Sequence, residues 1–135
     1  MANAMYDKGR EGFLDGSIDW DTDTIKTVLL DAADYTPDLA AHDNLDDVPA
    51  GARVGTPQTL TGKTKTNGVA DADDVTFPTV TGDPCEYQLI YKDTGVESTS
   101  RLIALIDTAT GLPITPNGGD IITQWDNGAN KIFKL

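Results

Sequence analysis

After Gly16 the larger apolar residues stop recurring at helical spacing. Short runs rich in β-branched and aromatic side chains take over, separated every roughly 10–15 residues by Gly, Pro, Asn and Asp. A chain punctuated this often has no room for the crossover helices that join parallel strands, so its strands must pair antiparallel with near neighbours. Seven or eight strands can be read. Thr24-Ile-Lys-Thr-Val-Leu-Leu-Asp31 is the first clear one. Ala52 to Thr66 is Thr-rich and suits one or two edge strands, with Lys63 and Lys65 on one side discouraging unwanted pairing. Asp74 to Val80 is kept short by Pro78, which cannot donate to a ladder. In Glu86 to Lys92, Tyr87, Leu89 and Tyr91 share one face while Gln88, Ile90 and Lys92 share the other. Ser100 to Asp107 is almost continuously apolar, as a strand covered on both faces should be. Ile121 to Trp125 and Lys131 to Leu135 flank Asn127-Gly128, the best hairpin signal in the chain, and the last run should be tied into a sheet. The expected fold class is all-β: an antiparallel, jelly-roll-like β-sandwich of seven or eight strands, one domain over residues 1–135.

Two segments depart from this pattern. Over Ala4 to Leu14 the apolar residues Met5, Tyr6, Phe13 and Leu14 fall near helical spacing, predicting a short helix that ends near Gly16, within an N-terminal segment of residues 1–16. Gly9 and Gly12 each cost such a helix about 1 kcal/mol relative to Ala, so it must dock its apolar side on something to persist. Ala32 to Gly51 holds Pro37, Pro49 and six Asp or Asn residues, and reads as a long surface loop with a helical turn around Asp43 to Asp47. Loops of this length are usually functional or mobile.

Twenty-two acidic against 10 basic residues give a formal net charge of −12. Nucleic-acid surfaces depend on Lys and Arg neutralising phosphates, so this balance argues against nucleic acid and equally against anionic membranes. The N-terminus lacks a basic region followed by an apolar run, so no secretory signal is expected, and no stretch approaches the length of a membrane span. Cys85, the single cysteine, has no partner for an internal disulfide.

Chemistry-bearing constellations are sparse. Asp19, Asp21 and Asp23 have the alternate spacing with which an EF-hand begins, but Thr24 stands where its sixth position needs Gly and Leu30 where its twelfth needs Glu. On a strand they would line one face, which makes them the calcium candidate against the alternative of a solvated acidic face. No other metal and no cofactor is expected. Asp71, Asp73 and Asp74 mark a turn. His42 with Cys85 is formally a nucleophilic pair, but an exposed loop histidine and a small core thiol account for both residues. Pro116-Asn-Gly-Gly-Asp120 precedes a strand, whereas a phosphate loop would open a helix; positive φ at Gly118 or Gly119 is its structural use. Trp20 and Trp125 fit a core better than a sugar-binding platform. No enzyme activity is expected.

The wording of the chain adds a resemblance. Met1-Ala-Asn-Ala-Met-Tyr-Asp-Lys-Gly-Arg-Glu-Gly-Phe-Leu-Asp-Gly16, Leu45-Asp-Asp-Val-Pro-Ala-Gly-Ala-Arg53, Gly68-Val-Ala-Asp-Ala-Asp-Asp-Val-Thr-Phe77, Ile90-Tyr-Lys-Asp-Thr-Gly95, Leu112-Pro-Ile-Thr-Pro-Asn-Gly-Gly-Asp120 and Trp125-Asp-Asn-Gly-Ala-Asn-Lys-Ile-Phe133 resemble a family of small virion structural proteins of tailed bacteriophages and prophages. The resemblance spans essentially the whole chain and offers no catalytic motif. It implies a non-enzymatic particle component made in the host cytoplasm, most like a capsid decoration or cement protein on the outer surface of the head. Its partners would be the major capsid protein or other virion proteins, and copies of itself in a dimer or trimer. A tail, neck or fibre component and a host-surface carbohydrate-binding module are the alternatives. Met5, Tyr6, Phe13 and Leu14 of the N-terminal segment, with His42 and Leu45 of the long loop, are the expected partner-facing residues.

Overall fold

A computed structural model describes residues 3–135, so Met1 and Ala2 of the expected N-terminal segment lie outside the described residues. β1 (Ala4–Met5) leads into α1 (Asp7–Asp15), followed by β2 (Ile25–Leu30), β3 (Arg53–Thr59), β4 (Val69–Ala70), β5 (Val75–Phe77), β6 (Tyr87–Lys92), β7 (Leu102–Ile106), β8 (Ile121–Thr123) and β9 (Phe133–Lys134). All pairings are antiparallel. One five-stranded sheet has the order β1-β7-β6-β2-β3, and two two-stranded ribbons pair β4 with β9 and β5 with β8. The protein is thus mainly β with one α-helix, in open sheets of unequal size.

Alternation along β6 sorts the core. Tyr87, Leu89 and Tyr91 face one apolar cluster with Val28, Leu30, Leu102 and Leu105, while Ile90 faces a second with Ile25, Leu29, Ile103 and Ala104. Ile103 and Ala104 both join this second cluster because β7 carries a bulge: Ile90 pairs with Ala104 and Tyr91 with Leu102, which leaves Ile103 as the extra residue. β3 lies at the sheet edge, and its register slips between the pairs Thr27–Gln58 and Leu29–Val54. Pro57, which has no N–H to give, falls inside that slip.

Four sequence expectations are corrected. First, Asn127-Gly128 does not close a hairpin: β8 pairs with β5 and β9 with β4, because each terminal run is drawn onto a short strand that the second core cluster needs covered. Second, Ala32 to Gly51 is no detached surface loop. Tyr35, Leu45, Val48 and Ala52 are buried against the first cluster, and backbone bonds from Leu45 N–H to Ser100 O and from Leu102 N–H to Asp43 O fasten it. Third, Met5 and Tyr6 precede the helix. β1 pairs Ala4 with Leu105 and Met5 with Ala104, and Tyr6 is fully buried. The glycines counted against α1 are its contact face: a Cβ on Gly9 would stand 2.7 Å from Leu102 O, and one on Gly12 would stand 2.5 Å from Ile18 Cδ1. Only glycine lets the helix seat this closely on β7. Fourth, Lys63 and Lys65 lie beyond the end of β3. They reach the 19–23 turn, Lys63 donating to Asp23 O and Lys65 pairing with Asp21.

Candidate functional site

The two faces of the large sheet are closed to different extents. Over the second cluster, Thr27 Oγ1 donates to Leu89 O (2.8 Å), Gln88 Nε2 donates to Thr27 Oγ1 (2.9 Å) and Thr123 Oγ1 donates to Gln88 Oε1 (3.1 Å), so a buried polar chain tethers β8 to the sheet. β9 is held by its rings. Phe133 lies 5.3 Å from Trp20, edge to face, and 5.8 Å from Phe13 of α1. Trp20 Nε1 donates to Asp71 O (3.2 Å) and Trp125 Nε1 to Asp73 O (3.0 Å), so both indoles hold the 71–73 turn from inside. Both tryptophans are buried in the core, in agreement with the sequence reading.

Between these covers, the margin of the sheet beside β1 and β7 stays open as two adjoining depressions. A groove of ≈ 490 Å³ between α1, β1, β7 and β9 is lined by Met5, Phe13, Leu14, Ile106, Phe133 and Leu135, among others. A more polar cleft of ≈ 530 Å³ lies between the end of β7, the 108–110 loop, β8 and residues 124–132. Asn3, Ile106 and Ile132 belong to both, so they form the ridge that divides one continuous surface. Three large apolar side chains stand out on it: Leu14 is 89% exposed, Ile122 63% and Leu135 61%. Thirteen residues line each depression and three are shared, giving twenty-three in all. Among these the charged side chains are Arg10, Lys131 and Lys134 against the single carboxylate Asp126. Arg10 is paired with Asp7 (3.0 Å) and Lys131 with Asp71 (3.2 Å), so in a chain of 22 acidic residues that face is close to neutral.

Elsewhere the carboxylates are engaged. The Lys65 ammonium bonded to Asp21 holds that carboxyl below its ordinary range. Burial works to raise Asp23, but the Asp19 N–H and Lys92 outweigh it and hold the group low. Arg53 does the same for Glu97, 2.7 Å away, and spans the long loop by donating to Leu45 O (3.0 Å) and Val48 O (2.7 Å). The calcium candidate therefore forms a turn, in which Asp23 N–H donates to Asp19 O and Asp19 N–H to the Asp23 carboxylate, and two of its three side chains are paired with lysines. Carboxylates come within 4.8 Å of one another at Asp31, Asp34 and Asp83, and at Asp43, Asp46 and Asp47, the arrangements able to offer oxygens to a hard cation. The first is assembled across the chain and carried no local sequence signal.

Cys85 is buried in the second cluster and burial pushes its thiol up to about 11, the reverse of what a nucleophile requires. His42 lies over the opposite face of the sheet, where its Nδ1 accepts Asp38 N–H (3.2 Å) and sits 2.9 Å from the Tyr35 hydroxyl, itself 2.8 Å from the Tyr6 hydroxyl. The fold does not bring this pair together. Of the expected partner-facing residues, Met5, Tyr6 and Leu45 are core, His42 is half-buried in the tyrosine network, and Phe13 and Leu14 reach the groove. Ile122, Phe133 and Leu135 were missed. Ile122 alternates in a β-rich run, so its exposure depends on which strand β8 pairs with.

Among the described residues no helix is long and apolar enough to cross a membrane. In comparison with known proteins, the chain matches no family model and no curated protein sequence.

Proposed function

We propose that this chain is a structural component of a tailed-phage virion, a decoration (cement) protein on the outer surface of the head. It bridges neighbouring major capsid subunits, catalyses nothing, and acts as a homo-oligomer. In this reading the five-stranded sheet and the ribbons laid on one of its faces serve as the two layers of a jelly-roll-like β-sandwich. The observation that carries the proposal is the segregation of charge and apolar surface. The side chains lining the open face carry three cations and one carboxylate, and Asp7 and Asp71, paired with Arg10 and Lys131, bring that face to neutrality, which leaves the net charge of −12 on the rest of the chain. Twelve excess negative charges repel packaged DNA, which suits the outside of a filled head. An apolar, near-neutral face suits close approach to a neighbouring subunit. The phage setting is taken from the resemblance read in the sequence alone.

Quantitative mass spectrometry of purified particles tests this. A decoration protein is present at a copy number comparable to that of the major capsid protein. A handful of copies per particle would move the chain to the tail or neck, and its absence from particles would end the reading.

A further inference from the structure

We propose that the open face pairs with the same face of a second copy, forming a two-fold dimer in solution. This deepens the reading of the chain as a particle subunit by naming the first neighbour, and it rests on that reading only for its setting. Three observations select a second copy as the occupant.

The first is electrostatic. Two bodies of net charge −12 repel, and with a screening length of about 8 Å at physiological salt they approach best where the local charge is balanced. The face around Ile106 and Ile132 is such a place: Asp126 is its one acidic lining side chain, and the neighbouring Asp7 and Asp71 are neutralised by its Arg10 and Lys131. The second is shape. The face carries both knobs and hollows, with Leu14 and Leu135 rising beside the groove and Ile122 beside the cleft. A two-fold axis through the shared ridge lays the groove of each copy over the cleft of the other, so the knobs of one oppose the hollows of its mate. The same rotation sets Arg10 and Lys134, which line the groove, towards the cleft of the second copy, where among the described residues Asp126 is the unpaired charge and Lys131 is bonded to Asp71. The third is size. Eighteen of the twenty-three lining residues are half-buried or exposed, near the lower end of the roughly 20–30 per side of a standard interface, about 800 Å² per partner, and the chain exposes 6813 Å² in all.

Sedimentation of the full chain is the test. The expected mass is twice the 14.4 kDa of one chain. Leu14→Asp and Ile122→Asp each weaken self-association at least tenfold with an unchanged thermal melt, since both side chains are exposed. Asp126→Arg also weakens it, and adding Arg10→Asp and Lys134→Asp to that variant restores pairing. A monomeric wild type, a trimer, or a dimer that survives Leu14→Asp combined with Ile122→Asp would each overturn the proposal. A monomer abundant on particles would overturn the pairing alone, whereas a dimer absent from particles would overturn the virion reading alone.

Discussion

The two faces of the large sheet are buried by opposite means. Over Leu89 and Tyr91, the cover is a segment without strands, from Asp31 to Ala52, that brings in Tyr35, Leu45 and Val48 and is pinned by backbone bonds and the Arg53 guanidinium. Over Ile90 and Ile103, the cover is largely regular: two ribbons and a helix carry Phe77, Phe133 and Phe13 onto the sheet, with Trp20 and Trp125 set in the turns beside them. The irregular cover closes its face, while the regular one leaves a margin open beside β1. Irregular chain can follow a pleated surface residue by residue, provided side chains or backbone partners satisfy its peptide groups. Ribbons and helices are stiff and meet at fixed spacings, and the space between them is where a binding surface can form.

The largest effects should come from emptying either face. Tyr6→Ala under the loop and Phe77→Ala under the ribbons each remove a fully buried ring, at a cost of about 3–5 kcal/mol in urea unfolding. Trp20, Trp125 and the Cys85 thiol all report the ribbon face, the thiol reacting with a disulfide reagent at neutral pH only through opening. If Tyr6→Ala loosened tyrosine signals while these probes kept the wild-type midpoint, the two faces would be separate folding units and the comparison would fail.

Gly9→Ala sharpens the seat of α1. Alanine favours a free helix by about 1 kcal/mol, yet here its Cβ meets backbone at 2.7 Å, so a net loss of about 1–3 kcal/mol is expected. A gain in melting temperature would show that the helix is not seated on β7.

Acid titration probes the loop cover. The Asp47 carboxylate accepts the Asp43 N–H at 2.8 Å, and that bond holds its pKa below the ordinary value despite some burial. A depressed carboxyl contributes above its unfolded pKa, near 4, and the contribution is lost as pH falls through the folded value. Asp47→Asn should therefore lower stability by well under 1 kcal/mol at pH 7, where screening is strong, and reduce the loss seen on acidification. A variant whose acid profile matched wild type would remove this bond from the account. The smallest effect is expected at Gly128→Ala, below about 0.5 kcal/mol, because Gly128 is not held at positive φ and its Cβ would meet only the end of the exposed Asp126 side chain, which can turn aside. A large loss there would reinstate the tight Asn127-Gly128 hairpin.

Legibility followed the range of the interactions. The hairpin of β6 and β7 is readable because one polar, Gly-containing loop joins two strongly apolar runs, and β2 because its apolar run is bounded by Asp. The partners of β8 and β9 are not, since Asn127-Gly128 favours a local hairpin and the competing partners lie about 45 and about 65 residues upstream. At the open face, Phe13 and Leu14 were legible as an unsatisfied apolar stripe. Leu135 and Ile122 were not, because they share a surface with that stripe only once two ribbons have chosen their places.

By itself the sequence determined the class of fold, the alternation that divides β6 between two cores, the end of α1 at Gly16, where φ is +80°, and the electrostatic character of the chain. These depend on backbone sterics, local periodicity and composition, all present before any long-range contact forms. Tertiary structure alone decided that Gly9 and Gly12 are a packing face, that the acidic loop is half of the core's covering, and that charge is balanced along one margin of the sheet. Each of these is a property of surfaces brought together from distant parts of the chain, and packing, which acts over a few ångströms in space, is blind to separation along the sequence.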